Sequence, residues 1–179
     1  MIVFLRFIGI INAAIWLGTS IFMTLGVAPA IFFSPGMHAF LGERNFNFYA
    51  GQIAYVFFKS YFTFHIVCAL VGLAHLMAEK LYLGRPASKF TSGLLITLLT
   101  ITLISGLWLQ PKMHGLLARG YSSQATPGER AAAMHSFGAW HGGAQILNLF
   151  IICGIVIYVW RVNNPPDPTL FVTPGKFRG

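Results

Sequence analysis

The sequence predicts an all-α protein, a four-helix transmembrane bundle with its N and C termini on the same side, and three observations carry that prediction. Only 9% of the 179 residues are charged while 56% are hydrophobic, far from the quarter or so of charged residues usual in water-soluble domains. Four stretches, Phe7 to Phe33, Ser60 to Ala78, Phe90 to Pro111 and Ala131 to Trp160, contain no Asp, Glu, Lys or Arg. Each is near or above the roughly 20 residues with which a helix crosses a hydrocarbon core of about 30 Å.

The expected spans are residues 7–33, 53–78, 90–111 and 132–160, so that residues 1–162 form one domain and residues 163–179 a tail. At the first span, Arg6 ahead of an apolar run and the small-x-small Ala28-Pro29-Ala30 resemble a secretory leader. The run outlasts an ordinary signal core, so a retained span is expected. Ser34 to Gln52 then mixes polar residues with Phe40, Phe46, Phe48 and Tyr49, rings that suit a short interfacial helix or a loop in an aromatic belt. Pro29 and Pro111 read as span ends. The third connection, residues 112–130, finishes in Thr126-Pro-Gly-Glu129. Thr as N-cap, Pro in the first turn and an early acid predict a helix start near residue 127. In the tail Pro165, Pro166 and Pro168 favour an extended course, and Leu170-Phe171-Val172 suits a partner surface.

The net charge of +8 does not point to nucleic acid, because the basic residues are spread over both ends of the bundle rather than gathered in one patch with aromatics. They suit lipid headgroups instead. Arg6, Lys80, Arg85, Lys89, Arg161, Lys176 and Arg178 fall on the side of the termini, against Arg44, Lys59, Lys112, Arg119 and Arg130 opposite. That bias, with the compact Lys80/Arg85/Lys89 loop, places both termini in the cytoplasm.

Polar groups within the spans are costly unless satisfied, and each is a candidate site. His141, Gln145 and Asn148 follow i, i+4, i+7 spacing and share one helix face. Asn12, Trp16 and Thr19 repeat that spacing in the first span, and His65, Cys68 and Gly72 form a stripe in the second. We expect His141, Gln145, Asn148 and Asn12 to form an interhelical polar stripe. His141 and His65 are the candidate ligands for a b-type haem, a chlorophyll-type pigment or a metal, although His65 falls at mid-membrane and His141 about 10 Å from its own span's centre at 1.5 Å per residue. No set of spaced ligands fixes a metal site, His75 and Glu79 being the one His/carboxylate pair on a single helix face. No nucleophile elbow is present, and the single Asp is Asp167 in the tail, so no catalytic residue is expected. Cys68 and Cys153 lack a Cys-x-x-Cys pattern and read as packing residues. Gly138-x-x-x-Gly142 and Ala139-x-x-x-Gly143 set small residues on adjoining strips for close helix approach, with Gly51, Gly72 and Gly106 as further candidates.

Trp16-Leu-Gly-Thr-Ser-Ile-Phe, Val27-Ala-Pro-Ala-Ile-Phe32, Ala50-Gly-Gln-Ile-Ala54, Phe58-Lys-Ser-Tyr-Phe62, His141-Gly and Asn148-Leu together resemble the transmembrane protein 205-like family, whose bacterial members carry a domain of unknown function. The resemblance covers the first, second and fourth spans and implies a four-helix integral membrane protein without an established reaction. It marks Pro29, Gly51, Tyr61, His141 and Asn148 as family-type positions and implies a bacterial inner membrane. On these grounds the expected role is that of a structural or accessory subunit packing against a larger, energy-converting membrane complex, with the tail as a contact. Cofactor binding is the alternative. A small transporter ranks below both, because paired broken-helix repeats are not evident.

Overall fold

The structure is a computed structural model that describes residues 2–83 and 88–164. Arg85 and the tail from residue 165 onward, on which the loop charge and the partner patch were expected, lie outside the described residues. Among those described there is no strand. The chain forms α1 (Ile2–Ile21), a π-helical segment (Phe22–Val27), α2 (Ala28–Phe33), α3 (Pro35–Leu41), a 3-10 turn (Glu43–Asn45), α4 (Phe46–Leu83), α5 (Lys89–Ile104), a second π segment (Ser105–Leu109), α6 (Gln110–Gly120) and α7 (Pro127–Asn163). With the π segments counted in, these are four long rods and the short helix α3.

All four rods are long and apolar enough to cross a membrane, and on that ground the chain is an integral membrane protein. Phe22, Leu25, Val56, Leu107, Leu149 and Phe150 turn most of their surface outward, the arrangement expected when lipid is the solvent. Within the bundle Ala13, Trp16, Cys68, Leu95, Ile155 and Tyr158 form the main core. A smaller core of Ile31, Phe46 and Ala50 closes the end near α3, where Gly42 at φ 74° turns the chain into the second rod.

Consecutive rods are neighbours, and the fourth returns to pack on the first. Contact partners run in opposite order along every neighbouring pair. Leu5 meets His75 and Ser20 meets His65 between α1 and α4. Gln52 meets His114 and Phe62 meets Gly106 between the second and third rods. Leu98 meets Gly154 and Lys112 meets Trp140 between the third and fourth. Arg6 donates to the Asn163 carbonyl at 3.1 Å and Thr24 meets Asn148 between α1 and α7. The topology is therefore up-down-up-down.

Two sequence expectations are corrected. Pro29 and Pro111 do not end spans: the helix runs on to Phe33 and to Gly120. Proline lacks an N–H and its ring crowds the carbonyl four residues back, which ordinarily breaks a helix. Here each proline stands two residues past the end of a π segment. Ala28 N–H reaches back five residues to the Met23 carbonyl, and Gln110 N–H to that of Ser105. The wider turn shifts carbonyls to later donors and gives the ring room. The second rod also begins at Phe46 rather than 53, so the aromatics Phe46, Phe48 and Tyr49 belong to its first turns, while Phe40 lies on the short helix α3.

The start of α7 follows the expected signal. The Thr126 side chain accepts from Glu129 N–H, and the Glu129 carboxylate accepts from Thr126 N–H in a full capping box. Glu129 also accepts from Arg119 at 2.8 Å, tying α6 to α7 just outside the apolar stretch.

Glycines set the close approaches. A Cβ at Gly154 would lie 2.7 Å from Leu98 Cδ2, one at Gly106 2.9 Å from Phe62 Cβ, and one at Gly51 would collide with Leu117. At Gly138, Gly142 and Gly143 a Cβ would meet nothing within 4 Å. Gly154→Val is therefore expected to cost about 1–3 kcal/mol through overpacking, and Gly138→Val to stay within about 0.5 kcal/mol, as read from unfolding midpoints in mixed detergent titrations.

Candidate functional site

On the first rod the residues Asn12, Trp16, Ser20 and Thr24 recur every fourth position, and the strip turns inward. Asn12 Nδ2 donates to the Cys68 carbonyl at 3.0 Å. Ser20 Oγ donates to the Trp16 carbonyl at 2.7 Å, which commits its single proton. Its 3.2 Å contact with His65 Nε2 is therefore a bond donated by His65, and His65 carries a proton on Nε2. His65 is fully buried, with Trp16 edge-on at 5.8 Å and Tyr61 at 4.1 Å between ring centroids. Its Nδ1 has no partner.

One turn away, Tyr61 O–H donates to Asn148 Oδ1 at 2.9 Å, and Asn148 Nδ2 donates to Thr24 Oγ1 at 3.0 Å. Tyr61 and Asn148 come from the second and fourth rods, which stand diagonally across the bundle, so their bond crosses its axis. Thr24 lies in the first π segment. Ser105, which opens the second, lines a small cavity beside Asn148. A polar layer thus spans all four rods at the level of both π segments.

The residues singled out in the sequence are distributed differently. Of the stripe His141, Gln145, Asn148 and Asn12, only Asn148 enters this layer. Gln145 is exposed and donates to His141 Nε2 at 3.2 Å within α7, and His141 stacks on Phe137. Asn12 bonds to Cys68 three turns from Thr24. His65 and His141 do not meet. Tyr61 and Asn148 are level, the second and fourth rods run in the same direction, and the two histidines lie four residues beyond and seven before that level. Eleven residues correspond to roughly 16 Å along the axis, too far for two axial ligands on one haem.

Three of the other four histidines have partners of their own, and His135 is exposed near the start of α7. His75 donates to the Leu5 carbonyl at 2.8 Å rather than turning to Glu79. His114 donates to Gln52 at 2.8 Å and stacks on Tyr55, and His38 stacks on Phe46. Among the described residues no three His, Cys, Asp or Glu side chains stand close enough to hold a metal. The Ser20–His65 contact is no nucleophile pair either, since the hydroxyl proton is committed to a carbonyl and both side chains are sealed from the surface.

Ser20 and Thr24 are absent from the sequence-derived candidates, and Tyr61 enters them through family likeness alone. The recurrence of polar or amphipathic residues at every fourth position of the first rod is the signal that marks Ser20 and Thr24. Ser105 is, with Thr97, Thr100 and Thr102, one of the polar residues that the third span offers as counterparts to the stripe, and no periodicity singles it out. Tyr61→Phe leaves Asn148 Oδ1 short of a donor and is expected to lower stability by about 1–2 kcal/mol. Ser60→Ala, at an exposed hydroxyl bonded only to its own helix at Val56, serves as a control within about 0.5 kcal/mol. Equal effects in a detergent unfolding titration would remove Tyr61 from the layer.

No curated protein and no solved structure matches the chain. A family profile does match, over residues 11–122, and its description reads Domain of unknown function (DUF4149). The matched part runs through α1, α4, α5 and α6 and stops before α7, whereas the sequence likeness noted above skipped the third span and took in the fourth. It includes Thr24, Tyr61, His65 and Ser105, and it covers more than half of the 179 residues: the chain belongs to the DUF4149 family.

Proposed function

We propose that the protein is a structural or accessory subunit that packs against a larger membrane complex through the outward face of α7. The observation that carries this reading is Gln145. It stands at the midpoint of α7 (Pro127–Asn163), exposed, with one hydrogen bond, to His141. A Gln amide can take part in four hydrogen bonds, and in lipid the missing ones find no water. Gly138 and Gly142 lie on the same strip, and a Cβ at either would meet no other part of the bundle within 4 Å, so a second backbone has room to approach there. A partner helix with a polar group at that depth satisfies the amide.

The Arg6–Asn163 hydrogen bond supports N and C termini on one side. The Lys and Arg bias toward that side, to which Lys80, Lys89 and Arg161 contribute, supports a cytoplasmic orientation. The likeness to transmembrane protein 205-like proteins supports a membrane role without a known reaction, in a bacterial inner membrane. The tail beyond residue 164 is a second candidate contact.

Purification in mild detergent tests the reading. Wild type is expected to retain a membrane-protein partner, and Gln145→Leu to retain about tenfold less if the amide contributes about 1–2 kcal/mol across the interface. Gly142→Leu, which removes the room for a second backbone, is expected to lose it as well. Wild type without a partner, or variants that keep it fully, would overturn the proposal.

A further inference from the structure

The polar layer is not closed by protein groups alone. The Asn148 amide has two N–H donors and two acceptor lone pairs. Thr24 takes one donor and Tyr61 one lone pair, which leaves one of each. Beside it a largely enclosed cavity is lined by Ser105, Asn148 and the apolar groups of Phe62, Leu109, Ala144 and Ile151. Ser105 is only 3% exposed, and its Oγ has no partner. Buried hydroxyls are seldom left so. Ser20, Ser60, Thr63 and Thr100 each return their proton to the carbonyl four residues back. Ser105, at the head of a π segment, does not.

The space matches one small molecule. It leaves about 20 Å³ in which the centre of a water molecule can lie, above the roughly 10–15 Å³ that a single water requires. A buried water also needs at least two polar partners, and Ser105 Oγ with the spare N–H and lone pair of Asn148 supplies them. A dry cavity would instead be apolar throughout. We propose that the Ser105–Asn148 cavity is a binding site for one water molecule, which completes the hydrogen bonding of both side chains.

The bound water extends the chain Tyr61–Asn148–Thr24 to Ser105 and so joins both π segments to one amide. It accepts from Asn148 Nδ2 or Ser105 Oγ and donates to the remaining lone pair on either. The site is internal and does not depend on the α7 face discussed above. Its occupant is a ligand of the bundle itself.

Oxygen-17 magnetic relaxation dispersion on the full chain in lipid nanodiscs counts long-lived internal waters without interference from hydroxyl exchange. Ala144→Val fills the cavity and is expected to remove the contribution of one such water. Ser105→Ala adds no atoms, keeps the space and removes a partner, so it is expected to shorten the residence time and move the dispersion to higher frequency. If Ala144→Val does not fold, Ser105→Ala carries the test alone. Dispersion unchanged from wild type in the folded variants would mean a dry cavity and overturn the proposal.

Discussion

The hydrogen bond between Tyr61 and Asn148 crosses the diagonal of the bundle, and the arrangement of the other rods depends on it. In lipid a polar side chain must find its partners within the protein. Asn148 finds one on the second rod and one on the first. Those two bonds fix which face of α7 points inward and set its height against α1 and α4. Neighbouring contacts are in step with them: Trp16 with Tyr158 on one side, Leu98 against Gly154 on the other. The glycines then let the backbones close over the layer.

Much of the architecture was legible because a hydrophobic span is a long-range signal. Four uncharged stretches gave four rods, and Thr126-Pro-Gly-Glu129 gave the start of α7 to within a residue. The site was less legible. Periodicity shows which residues share a face, yet it does not say which face is inside. In water the polar face of a helix marks the outside; in a membrane both faces are apolar, and that contrast is lost. Gln145 and Asn148 share a stripe on paper, and in the structure one faces outward while the other reaches the axis. Gly138 and Gly154 look alike in sequence, but only Gly154 is met by a neighbouring rod. The prolines misled for a different reason: the rule that proline ends a helix assumes the α ladder, and here the ladder changes pitch before each of them.

At two places along the third rod charge is combined with aromatic rings. Lys112 places its ammonium 3.9 Å from the Trp140 ring centroid and 4.9 Å from that of Trp108, and Arg161 lies over Phe90 at 4.7 Å. Such cation–π contacts hold a cation beside apolar surface without a carboxylate, which suits a chain with four acidic residues against twelve basic ones. The long stems of Lys and Arg keep the charged heads near the headgroups. The two contacts lie in opposite halves of the third rod.

The π segments also alter how the sequence maps onto the surface. An α-helix advances about 100° per residue, and a π turn takes up one residue more than the α ladder would. Beyond Leu109, therefore, α6 presents a face rotated by about 100° from the one that an uninterrupted helix would continue from α5. A helical wheel drawn through the whole third rod assigns Lys112 and His114 to the wrong sides, and so does any alignment that treats the rod as uniform. The same holds across Phe22–Val27 in the first rod. Each proline and the extra residue ahead of it form a matched pair, and a relative that lacks one without the other would present a differently turned helix end to its neighbours.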